Sequence, residues 1–159
     1  MIGNVEAAFV DALGAAATFP VRWANDPWPD GVNTSDGNMP VNGDGLPAPA
    51  IEAELISGRD ETMPAGKNAE GKRTHRLPGI VRLYLSVGQG TGRSAINVEV
   101  DALLSAFDRA TLIDNYANGE TLRTEDPRVD NDVAAYEEGN RFVRMVSVPW
   151  MYLYQTVQK

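Results

Sequence analysis

Cysteine is missing from this 159-residue chain, and histidine occurs once, at position 75. Those absences exclude disulfides, zinc-thiolate sites, cysteine nucleophiles and His-rich metal centres, and leave any hydrolytic triad dependent on a single residue. No apolar run approaches the roughly 18 residues of a membrane-spanning helix. The first residues lack a basic stretch, and Glu6 and Asp11 interrupt their apolar character, so the start does not read as a signal peptide. The expectation is a soluble chain that works where it is made, without a membrane. Positive charge is scarce as well: 14 Lys and Arg stand against 22 Asp and Glu, a net charge of −8. Such a field repels a phosphate backbone and disfavours tight nucleic-acid binding as the main task.

What remains is ordinary globular material, 43% hydrophobic and 23% charged, in a length that suits one domain over residues 1–159. Val5, Ala8, Phe9, Ala12, Leu13 and Ala16 recur at helical spacing, which predicts a helix over residues 4–18 with Asn4 as N-cap and Pro20 barring continuation. Val21 to Ala24 reads as a short strand closed by Asn25-Asp26-Pro27. Residues 51–55 and 81–87 alternate as half-buried strands. A second helix over roughly 94–107 carries Ile96, Val100, Leu103, Leu104 and Phe107, with Thr91 or Ser94 as N-cap. Residues 110–113, 129–136 and 141–156 are further strands. Pro149 implies a bend or an edge position in the last one, where Trp150, Tyr152 and Tyr154 share a face. The predicted class is α+β: a mostly antiparallel sheet, two helices packed on one face, and two long loops.

The loops are the unusual part. Residues 25–49 hold four Asp (Asp26, Asp30, Asp36, Asp44), five Pro and four Gly, and no basic residue. Residues 58–73 form the second, again rich in Gly, Pro and charge. Connections this long inside a domain are commonly functional. A neighbouring subunit is the expected source of their order. No glycine in the first loop has the Glu six residues on that an EF-hand needs. Glu52 and Glu54 share a strand face at a spacing that suits paired carboxylates, although the solvent face of an alternating strand explains them more simply. The turn Gly88-Gln89-Gly90-Thr91-Gly92 sits between a strand and a helix, where backbone amides meet phosphates. Arg at position 93 spoils the dinucleotide spacing and no Gly-Lys-Ser/Thr is present, so a structural turn is the better reading. No cofactor and no catalytic residue is expected.

An interface is expected instead. Trp28 stands between two prolines with no evident core role and suits an anchor on a partner. Lys72, Arg73, His75 and Arg76 form the one dense basic run, and its natural complement is the acidic loop with Asp30 and Asp36, met across a subunit boundary.

The order of features resembles a known family. Pro20-Val21-Arg22-Trp23-Ala24-Asn25 precedes a Pro-rich loop; Arg76-Leu77-Pro78-Gly79 opens a strand; the Gly88–Gly92 turn leads to a helix ending in Phe107. This is similar to the tail terminator (tail completion) proteins of long-tailed bacteriophages, with their "v-x-w-x-N" strand, "R-x-x-G" strand and "p-x-G-x-G" turn. The likeness spans about residues 3–113 and the C-terminal strands. The long loops, and Val87 where a proline is common, depart from the pattern. The resemblance implies a structural virion protein of the tail or neck, assembled in the bacterial cytoplasm, and not an enzyme. Its copies would form a homo-oligomer, a hexameric ring that caps the tail tube protein, stops its polymerisation and receives the head–tail connector. DNA would be only a passing cargo in an acidic lumen. The alternatives are another neck or tail component, or a small nucleotide-binding enzyme using the glycine turn.

Overall fold

The computed structural model describes residues 2–34, 39–67, 70–88, 90, 93–130, 136–138 and 141–157. Among the described residues, two α-helices and nine strands follow in the order α1 (Ile2–Ala16), β1 (Val21–Trp23), β2 (Ala50–Ser57), β3 (Glu61–Lys67), β4 (Lys72–Gly88), α2 (Ser94–Ala106), β5 (Thr111–Asn115), β6 (Glu120–Thr124), β7 (Arg128–Val129), β8 (Tyr136–Glu138) and β9 (Arg141–Val157). The sheet runs β1-β2-β4-β9-β6-β5, with β3 beside β4, and β7 and β8 beside β9. Every described pairing is antiparallel except β1 with β2. The chain is therefore α+β with a largely antiparallel sheet.

Both helices pack on one sheet face. Val5, Phe9 and Leu13 of α1 and Ile96, Val100 and Leu103 of α2 meet Leu83 and Leu85 of β4 and Val146, Val148 and Trp150 of β9 in one cluster. Phe9 is the centrepiece, with ring centroids 6.0 Å from Phe107 and 6.3 Å from Trp150. The alternation of Trp150, Tyr152 and Tyr154 places all three on this buried face. Helix α1 begins at Ile2, so Asn4 lies within its first turn and donates to Glu120 Oε1 (3.0 Å) instead of capping. Helix α2 starts after Arg93 with no side-chain cap, and Thr91 lies outside the described residues.

The middle of α2 is tied to the end of α1 by Glu99, only 2% exposed, whose carboxylate accepts from Thr18 N (2.7 Å), Thr18 Oγ1 (2.5 Å) and Phe19 N (3.2 Å). A buried carboxylate is tolerable only with donors around it. Here the donors are the chain leaving α1, so Glu99 fixes how α1 hands over to β1.

Much of the second expected loop, 58–73, is strand. Residues 61–67 form β3, which pairs with β4 at Glu61–Arg76, Thr62–His75 and Lys67–Arg73, and β4 begins at Lys72 rather than near 81. Strands β2 and β3 run one after the other along the same edge of β4, with Gly58–Asp60 between them. Gly, Pro and charge concealed a hairpin because long-range pairing, not local propensity, made it. The sequence pattern also passed over β6, whose Leu122 alone among its five residues is a buried hydrophobic. Of the strand expected over 129–136, the described ends pair with β9 separately as β7 and β8.

Pro149 does not lie on an edge strand: β9 pairs with β4 throughout, and Pro149 faces Ile80. Its carbonyl accepts from Glu125 N (2.8 Å). In an antiparallel ladder a residue's N–H and C=O point the same way. The missing donor therefore points to residues 125–127, between β6 and β7, where the ladder is already interrupted.

Candidate functional site

Residues 25–49 contain no regular strand among the described positions; two isolated bridges, Thr34–Pro40 and Val41–Pro47, fold them on themselves. Asn42 Oδ1 accepts from the backbone of Asp44 (2.9 Å) and Leu46 (3.0 Å), closing a tight turn. Arg141, 6% exposed, then fastens the segment to the sheet. It donates to the carbonyls of Pro40 and Ala48 (2.7 Å to Ala48) and to Ser86 Oγ (3.0 Å). Burial pulls its pKa below the ordinary arginine value, and the charge of Glu52 works against that shift. The order expected from a neighbouring subunit is thus supplied within the chain for residues 40–48.

The first half of the loop makes a cleft. Asn25 takes a left-handed conformation (φ 69°), which asparagine tolerates, and Asp26 N bonds back to Trp23 O (2.9 Å). The chain then turns over the outer sheet face. Arg22 Nη2 is 2.6 Å from Glu52 Oε2, and the same guanidinium lies over the Trp28 ring, 4.8 Å from its centroid. Trp28 is half-buried there and outside the core cluster. Arg22, Asp26, Trp28, Asp30, Thr34 and Glu52 are among the residues lining a cleft of about 800 Å³. Among the described residues of that lining, Arg22 is the one cation, against three carboxylates. Asp36 lies outside the described residues.

The basic run lies elsewhere. Strand β4 has 17 residues and pairs with β9 along its whole length, a ladder of about 55 Å at the usual rise. The buried hydrophobic residues of β4 run from Leu77 to Val87, so the ladder continues past the core at its Lys72 end. Beyond Arg76 and Leu153 the ladder keeps β3 on one side and leaves β6 behind on the other. This end is an arm.

Its side chains brace it. The His75 ring stacks on Tyr154 (5.0 Å, 13°), Tyr154 stacks on Tyr152 (5.3 Å), and His75 Nε2 is 2.7 Å from Thr156 Oγ1. Tyr154 donates to Asp60, whose other oxygen is 3.8 Å from His75 Nδ1. Arg76 pairs with Glu61 (2.7 Å) and Lys72 with Glu70 (3.0 Å). Arg73 Nε is buried with no hydrogen-bond partner among the described atoms. Burial raises both tyrosine hydroxyls to about 12, helped by the hydrogen bonds to Glu120 (Tyr152) and Asp60 (Tyr154).

The structure thus gathers Trp28 and Asp30 in one place and Lys72, Arg73, His75 and Arg76 in another. Glu52, in the cleft, is opposite Tyr84 on β4, nine residues from His75, which sets the two about 30 Å apart along a stiff ladder. Within one chain they do not meet. Arg22, Glu52 and Arg141 are the residues that sequence reasoning passed over as parts of this region. Arg22 and Glu52 become partners only through the parallel β1–β2 register, in which they are directly paired. Glu54 stands opposite Arg82 in the next pairing on the same face. The Gly88–Gly92 turn is described only at Gly88 and Gly90.

No family model matches the chain, and no curated protein is significantly similar to it. Among solved structures, the chain is similar to a protein whose name carries no functional word, at 17% identity over 96% of this chain and 95% of that one, with a TM-score of 0.52. That likeness extends over the whole domain and bears on the fold alone.

Proposed function

We propose that this protein is a structural component of a phage virion, a ring-forming tail terminator that caps the tail tube, halts its growth and presents the docking surface for the head connector. The reading starts from the motif resemblance, and one observation carries it further: the motif residues occupy positions where the fold needs those residue types. Asn25 ends β1 in a left-handed turn. Gly79 makes room for the Trp150 ring. Phe107 closes α2 against Phe9 in the core.

The charge distribution supports an assembly role. Residues 58–76 carry five Lys and Arg (Arg59, Lys67, Lys72, Arg73, Arg76) against Asp60, Glu61 and Glu70, a net +2. The rest of the chain then holds nine basic and 19 acidic residues, a net −10. A ring built from such copies has head-to-tail contacts that close. An acidic lumen lets DNA pass without adhering.

The test is to add the purified protein to growing tail tubes. A terminator stops elongation and remains at the tube end as a ring of about six copies. Unlimited polymerisation of the protein itself identifies a tube subunit and overturns the proposal. A monomer that binds nucleotide overturns it in favour of an enzyme.

A further inference from the structure

The acidic cleft and the basic arm lie at separate places on one molecule, opposite in charge and about 30 Å apart. We infer that the arm of one copy docks into the Trp28 cleft of a second copy, its end carrying Lys72 on one face and Arg73 on the other to the cleft that holds Asp26 and Asp30. The inference rests on the ring reading only for the closure of the contact; the contact itself follows from the two surfaces.

Three observations commit the cleft to this occupant. The arm is rigid, because β3, β4 and β9 are hydrogen-bonded together and the His75–Tyr154–Tyr152 stack runs along it. It therefore cannot fold back onto its own cleft, and docking it costs little ordering entropy. The charges match: the arm segment is net positive on a strongly negative body, while the cleft's three carboxylates exceed its single arginine. The cleft also offers a recognition surface. Arg22 clamps Trp28 on one side and Glu52 on the other, which holds the indole in place before a partner arrives.

Each copy has one arm and one cleft at separate places, so the contact is head-to-tail, the kind that generates rings. Glu61 and Glu70 accompany the arm and already pair with Arg76 and Lys72, which lowers the gain per contact and makes the interface reversible. The arm and cleft then give register and partner choice more than raw affinity.

Charge reversal and its compensation test this with the full-length chain. Lys72→Glu with Arg73→Glu reverses the arm; Asp26→Lys with Asp30→Lys reverses the cleft. Light scattering gives the mass of each, and circular dichroism shows that each still folds. Either pair alone should raise the concentration needed for assembly by at least about tenfold, since close interfacial charges contribute on this scale. Mixing the two proteins should restore the oligomer, because each reversed arm now faces a reversed cleft and each native arm a native one. The fourfold variant should also assemble by itself. Unchanged assembly in either variant, absence of rescue in the mixture, or a wild-type protein that stays monomeric overturns the inference. A wild-type ring that survives both reversals but still caps tubes leaves the terminator reading standing. A ring that responds as expected yet fails to cap tubes leaves the contact standing and sinks the terminator reading.

Discussion

The indole of Trp150 lies directly across from Gly79 on the neighbouring strand, in the space a side chain would fill. A Cβ at Gly79 would fall inside the van der Waals envelope of the Trp150 ring and of the Ile56 carbonyl. Neither can retreat: Trp150 is 2% exposed and packed on Phe9, and the carbonyl belongs to β2. Gly79→Ala is therefore expected to destabilise the fold by about 1–3 kcal/mol through overpacking. Chemical denaturation checks this. Trp150→Phe in the Gly79→Ala background should recover part of the loss, and equal stability of Gly79→Ala and wild type would refute the account.

Glu99 provides a second measurement. Glu99→Ala removes an acceptor shared by the two backbone amides of Thr18 and Phe19 and by the Thr18 hydroxyl. Leaving these part-buried donors without their acceptor costs roughly 1–2 kcal/mol. Glu99→Gln keeps one carbonyl acceptor and should lose less, so the order wild type, Gln, Ala in denaturation midpoint is the expected result.

Arg141 anchors residues 40–48, and its removal should act locally. Arg141→Met keeps much of the apolar stem but loses the bonds to Pro40, Ala48 and Ser86. Amide exchange at Val41 and Ala48 should then quicken by at least about tenfold, with little change in the β4–β9 amides. Lysine cannot span both carbonyls as a guanidinium does, so Arg141→Lys should restore protection only in part.

Alkaline titration reads the buried stack. The chain has five tyrosines. Tyr152 and Tyr154 are raised to about 12 from 10 because burial and the carboxylates of Glu120 and Asp60 disfavour phenolate. Their neutral forms are favoured in the fold, so this contribution to stability is complete below pH 10 and lost as pH rises through about 12. Phenolate absorbance should show Tyr152 and Tyr154 titrating late in the folded protein and losing that delay in denaturant.

Trp28→Ala tests the anchor. Trp28 is outside the core cluster, so the monomer should keep its melting temperature within a few degrees while assembly weakens. Unfolding of the monomer instead would show Trp28 to be a core residue.

The helices, the alternating parts of β2, β4 and β9, and the α+β class were legible because apolar periodicity reports a buried face wherever it occurs. Val5, Phe9 and Leu13 announced α1, and Trp150, Tyr152 and Tyr154 announced one face of β9. Strands β3 and β6 were not legible. Thr62 and Thr121 become strand residues by pairing with His75 and Leu153, partners 13 and 32 positions away, and no local pattern encodes such a distance. Pro149 misled for the same reason: its tolerance depends on a gap between β6 and β7.

The candidate site divides along that line. Sequence by itself determined the scarcity of chemistry-bearing side chains, the −8 charge and the separation of acidic and basic segments, because composition and charge order are properties of the chain. Only the tertiary structure decided that the basic segment is a braced arm and the acidic one a cleft, each pinned by a partner remote in sequence. Arg22 finds Glu52, Arg141 finds Ala48 and His75 finds Thr156, since a β-ladder brings together residues by register and without regard to their separation along the chain.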